Sequence, residues 1–209
     1  MTKVPSSGAL LALACAASLL AGCNPAEAPS VPGPNAAAAP AVASDLRPTA
    51  GIQDIMAYMI DPAADFLWES VSTTVTEAGT NEHQPRTDEE WDQVRKQAII
   101  LTEAANLIMM EGRHVAREGA KLEDHGTPGN LTAEESEREI KANRATFISF
   151  AQALHDVGKS MLAAADTRNT QAILDAGDTM DTVCESCHLK FWYPGQKIPQ
   201  FPNQAPEPK

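Results

Sequence analysis

The chain has 209 residues, a formal net charge of -12 and only 5% aromatic residues. That length suits one domain with appendages. The acidic balance argues against nucleic acid or anionic lipid headgroups as partners, and the lack of long alternating β-branched runs disfavours a β-fold.

Residues 1–22 read as an export signal. Lys3 supplies the positive start, and residues 10–20 supply an apolar stretch too short to span a bilayer comfortably. The segment ends in Leu20-Ala21-Gly22-Cys23, which resembles the lipobox of bacterial lipoproteins. The resemblance implies cleavage before Cys23 and lipid on its thiol. The other reading is ordinary signal cleavage that leaves Cys23 free. A lipidated Cys23 implies a periplasmic protein anchored to a membrane, and Asn24 in place of aspartate favours the outer membrane. Residues 23–48 are rich in Pro, Ala and Ser, cannot bury a core, and are expected to be a tether.

Four helices are expected between 49 and 193. The first, over 51–78, carries Ile52, Ile55, Met56, Met59, Leu67, Val71 and Val75 at helical spacing. Pro62 lies inside it and predicts a kink or break, or a second short helix capped at Asp61-Pro62. The second opens on the capping box Thr87-Asp88-Glu89-Glu90 and carries Trp91, Val94, Ala98, Leu101, Ala105 and Ile108, ending near Gly119. The third opens on a second box, Thr132-Ala133-Glu134-Glu135, and runs to about Ala165 through Ile140, Phe147, Phe150, Leu154, Val157 and Met161. The fourth starts near Asn169 and carries Ile173, Leu174, Gly177, Met180, Val183, Cys184 and Cys187 until Pro194 bars continuation. Short connectors over 82–86 and 125–131 suit antiparallel neighbours, so the expected fold is an all-α, antiparallel four-helix bundle. Residues 194–209 form a proline-rich, non-helical tail. The acidic clusters Asp88-Glu89-Glu90 and Glu134-Glu135 fall in first helical turns, where the helix dipole favours anions. They read as helix starts rather than catalytic carboxylates.

Within the fourth helix stands Cys184-Glu185-Ser186-Cys187-His188, the attachment signature of c-type haem. Positions i, i+3 and i+4 share one helix face, so two thiols and one imidazole can meet a single porphyrin. Export agrees, because c-type haem is attached outside the cytoplasm in bacteria. A dithiol redox site would instead want its first cysteine at a helix start beside a strand. Zinc would need two more ligands, and His114 and His155 are expected on separate helices. The four cysteines are then all assigned: Cys15 leaves with the signal, Cys23 takes lipid, and Cys184 and Cys187 take haem.

A C-terminal motif of this kind on the last of four helices resembles the class II c-type cytochromes, the cytochrome c prime family, over about 49–193. The resemblance implies a helical bundle, one covalent haem, His188 as the proximal iron ligand, and often a homodimer. In that family a first-helix residue faces the distal side of the iron. A methionine there makes a six-coordinate electron carrier; a bulky apolar residue leaves five-coordinate iron that binds small gases. Met56 matches the distal position and Met59 follows three later, unless both simply fill core space. Methionine sulfur is a soft ligand that favours ferrous iron. Where family members often carry an arginine, this chain has Ile52 with Gln53 beside it, so contacts to the haem propionates fall to Gln53, Arg113 or Arg95. Phe191, Trp192 and Tyr193 either cover the proximal haem edge or pin the chain end.

The expected function is therefore a haem-binding electron carrier, not an enzyme, which exchanges single electrons with periplasmic or membrane redox proteins. The alternative is a module that binds nitric oxide or carbon monoxide. A third reading is a haem subunit of a larger oxidoreductase.

Overall fold

A computed structural model describes residues 46–196 of the chain. The signal, Cys23 and most of the tether lie outside the described residues, as does the tail beyond Gln196. The described part is mainly α, with one two-stranded sheet.

The first helical rod is built in three pieces. Helix α1 covers Ile52–Ile55, a wide π turn covers Met56–Ile60, and α2 covers Asp61–Ser70. Pro62 does not interrupt the rod; it stands in the first turn of α2, the short second helix expected to open at Asp61-Pro62. The N–H of Asp61 bonds five residues back, to the carbonyl of Met56. A proline ring clashes with the carbonyl four residues earlier, and widening the turn just before it relieves that crowding. The extra residue also keeps Ile55 and Ile60 buried.

The rod stops at Ser70, not near Ala78. The following residues form a hairpin, β1 Ser72–Thr76 and β2 Gly79–His83, with Ser72 opposite His83 and Thr76 opposite Gly79. Four β-branched residues, Thr73, Thr74, Val75 and Thr76, prefer extended backbone. Gly79 turns the chain at φ +131°, which side-chain-bearing residues rarely adopt.

Helix α3, Asp88–Ile108, opens on the expected box: Thr87 Oγ1 accepts from the Glu90 N–H, and a Glu90 carboxylate oxygen accepts from the Thr87 N–H. It ends eleven residues short of Gly119. The stretch from Met109 to Thr132 is instead a long irregular loop. This loop is fastened to the protein rather than loose. Ile52 and Gln53 donate their N–H groups to the carbonyls of His114 and Val115. Val115 is buried, and a side chain on Gly51 would collide with its carbonyl.

The third expected helix is two. Helix α4, Ala133–Ala142, carries the second capping box, Thr132 with Glu135. At Asn143 the backbone leaves the helical region, φ -122° and ψ 40°, and the side chain donates to Glu139. Helix α5, Arg144–Asp166, follows. Helix α6, Thr170–Phe191, starts where Asn169 Oδ1 accepts from the Ala172 N–H.

Helix α3 packs on α5, α5 on α6, and α2 on both α3 and α6. The first two run antiparallel: Arg95 near the start of α3 pairs with Asp166 at the end of α5, while Arg144 at the start of α5 bonds to the Met109 carbonyl. Gly158 lets α3 and α5 approach closely, since a Cβ there would stand 2.3 Å from Thr102 Oγ1. Leu67, Leu101, Ile108, Met161, Ile173 and Met180, drawn from all four of these helices, are fully buried. Each such side chain contributes about 1.5–3 kcal/mol.

Candidate haem site

Helix α6 turns a single apolar stripe inward. Ile173, Ala176, Gly177, Met180 and Phe191 are buried along it, and Val183, Cys184 and Cys187 continue it, half-buried and packed against the core. The spacing alternates three and four, as a helix facing a core requires. The motif cysteines thus occupy positions that an ordinary bundle helix fills with leucine.

Neither thiol is in a disulfide. Burial pushes the Cys184 thiol up to about 11 and the Cys187 thiol up to about 12, because a thiolate would be poorly solvated there. Carboxylates add to this at Cys184, those of Asp181 and Asp61 foremost. Asp61 begins α2, which packs on α6.

His188 stands one residue beyond Cys187, also half-buried. Burial lowers its affinity for a second proton, against the smaller opposing pull of Glu185 and Asp61. The imidazole is therefore held toward its neutral form, the one with a lone pair to give a metal. Among the described residues no hydrogen bond is made by either ring nitrogen. Two aromatic rings hold it instead: Trp192 lies edge-on at 5.1 Å between centroids, and Tyr193 tilts against it at 5.8 Å. Tyr193 in turn donates its hydroxyl to Glu185, inside the motif, at 2.7 Å. Burial and this carboxylate both raise the tyrosine's pKa. Beneath them Phe191 makes edge contacts with Phe147 and Phe150.

These residues fit a c-type haem. Two unpaired thiols, protonated and sheltered, lie one helical turn apart beside an imidazole that no described residue engages through hydrogen bonds. Among the described residues there is no group of three or more His, Cys, Asp or Glu that could hold a metal ion by itself. The thiols and imidazole are arranged along a helix face, suited to a flat macrocycle rather than to convergence on one ion.

The other expected site residues are less tightly gathered. Met56 and Met59 lie in the π turn, half-buried and packed against the core. Gln53 donates to the Lys121 carbonyl at 2.8 Å. Arg113 donates to the carbonyls of Leu107 and Ala50 and contacts Met110 Sδ, and burial lowers its pKa. Arg95 pairs with Asp166. These three polar residues tie helices and loop together rather than meeting the motif. Of the two histidines weighed for zinc, His114 pairs with Glu137 and His155 with Asp156.

Sequence reasoning missed Asp61, the Tyr193–Glu185 pairing, and the loop that reaches the motif's end. Leu131 donates its N–H to the Trp192 carbonyl at 2.8 Å, and Gly195 donates to the Gly129 carbonyl at 3.2 Å. The start of the tail is accordingly turned back against the protein. No protein-family model, curated protein or solved structure matches the chain.

Proposed function

We propose that this chain is a c-type cytochrome that carries single electrons in the periplasm. One haem is attached through thioethers at Cys184 and Cys187, with His188 as the proximal ligand. The helices form an antiparallel four-helix bundle of the cytochrome c prime kind, and lipid on Cys23 holds the domain to a membrane face. The observation that carries this reading is the Cys-x-x-Cys-His run on the inward stripe of α6, with its thiols unpaired and its imidazole free of hydrogen bonds to the described residues.

Haem, when bound, supplies reversible one-electron chemistry; the chain supplies attachment, ligation and shelter. Cys184 and Cys187 fix the macrocycle to one helix. His188 offers a neutral nitrogen, steadied by Trp192 and Tyr193. Met56 is the proposed distal ligand. It lies in a π turn, a geometry that recurs at functional sites because it re-aims side chains within a helix. Two protein ligands limit the change in geometry between oxidation states, which suits rapid transfer.

Mature protein purified from its native host provides the test. Intact mass should show one haem added, and the alkaline pyridine spectrum should be that of two thioether links. Unmodified thiols at Cys184 and Cys187 would overturn the reading. The distal ligand is tested separately. Wild-type ferric protein should be low-spin with a methionine-to-iron charge-transfer band, and Met56→Leu should abolish that band and open the iron to carbon monoxide. A wild type that is already high-spin and takes up carbon monoxide, unchanged by Met56→Leu, means gas binding instead.

A further inference from the structure

We propose that the indole N–H of Trp192 binds a haem propionate carboxylate, beside Asn130, at the junction between the 109–132 loop and the end of α6. This inference rests on the haem reading above.

Trp192 Nε1 is buried and has no hydrogen-bond partner. An indole nitrogen only donates, and buried donors in native proteins are nearly always paired. The acceptor it lacks should come from something other than the described polypeptide. Its ring lies edge-on to His188, at 5.1 Å and 89°. The orphan donor therefore belongs to the layer around the proposed iron ligand, where a haem would bring two carboxylates.

The wall beside it is built tightly. Leu131 and Gly195 hydrogen-bond across to Trp192 and Gly129, bringing 129–131 against 192–195. The approach is so close that a Cβ on Gly129 would stand 2.6 Å from the backbone of Gly195. Asn130, between these contacts, also has a buried side-chain oxygen without a partner. A half-turn of its amide exchanges oxygen for NH2 without changing its shape, which makes it a second donor. Two unmatched polar side chains at one junction suit a carboxylate with two oxygens.

The rival donors are engaged elsewhere. Gln53 holds the Lys121 carbonyl, Arg113 holds those of Leu107 and Ala50, Lys190 pairs with Glu139, and Tyr193 donates to Glu185. Ile52 stands where the resemblance would put a propionate-binding arginine. A carboxylate in a partly buried site needs donors, and Trp192 is the one whose position and missing partner both answer that need.

The test compares the mature, haem-loaded wild type with W192F and N130D. Phenylalanine keeps an aromatic ring and loses only the donor. Resonance Raman of haem-loaded W192F should show the propionate bending band shifted to lower frequency than in the wild type. In ferrous wild type the Trp192 indole proton should resonate downfield and exchange slowly with solvent; this needs no variant, so it decides the matter even if W192F fails to load. N130D places a second carboxylate at the junction and should also displace the propionate band. A propionate band indifferent to W192F, or an indole proton in fast exchange, overturns the proposal. So does N130D that moves the indole proton further downfield and leaves the propionate band in place, since the indole is then paired with residue 130. Colourless wild type removes the haem reading itself, whereas loaded protein with an unmoved band removes only the Trp192 contact.

Discussion

At the scale of single residues, the two motif thiols make the haem-free protein sensitive to alkali. A folded thiol at about 11 keeps its proton while the same thiol in the unfolded chain, near 9.0, loses it. The folded state thus binds more protons in that interval, and stability falls as pH rises from about 9 through 11 and 12. Below pH 9 both states are protonated and the contribution is intact. A thiol held up at about 11 leaves about 100-fold less thiolate at Cys184 than at an ordinary cysteine at neutral pH. Iodoacetamide should therefore label Cys184 of the folded, haem-free chain about 100-fold more slowly than after denaturation. Equal rates would mean that the thiols are open to water. Cys184, Cys187 and His188 were legible because their message is wholly local: three residues in five positions. The influence of Asp61 and the unpartnered nitrogen of Trp192 were not. The field of Asp61 on Cys184 depends on two helices meeting, and the orphan nitrogen of Trp192 depends on a loop segment, 129–131, that is far from it in the chain.

At the scale of elements, the helix starts were readable and several helix ends were not. Thr87 and Thr132 announce their helices through side chains that bond within four residues. The hairpin was hidden because Val71 and Val75 satisfy helical spacing as well as strand alternation, so periodicity alone could not separate them. The 109–132 loop was hidden because its fastening, to Ile52 and Gln53, is tertiary. Gly158 carries a prediction at this level. Alanine would gain about 1 kcal/mol of helix propensity, yet its methyl would meet Thr102 Oγ1 at 2.3 Å and the Thr102 backbone at 3.0 Å. Thr102 is buried and its hydroxyl is already bonded to Ala98. Crowding of this kind costs about 1–3 kcal/mol, so Gly158→Ala should lower stability in urea by about 1 kcal/mol on balance. A stabilised variant would show that α3 and α5 part freely.

At the scale of the whole molecule, a formal charge of -12 sets up repulsion toward other polyanions. The more distinctive property comes from the loop between α3 and α4. It grips the entrance of the first rod at one end and the exit of α6 at the other. Such a clasp makes two distant chain segments open as one cooperative unit rather than fray separately. The amides of Ile52, Gln53 and Leu131 should accordingly exchange with deuterium at a shared rate, measured by proton–nitrogen correlation spectra. Attaching a prosthetic group to the last helix should then slow exchange at Ile52 and Gln53 as well, so that loading at the close of α6 is felt where the first rod begins.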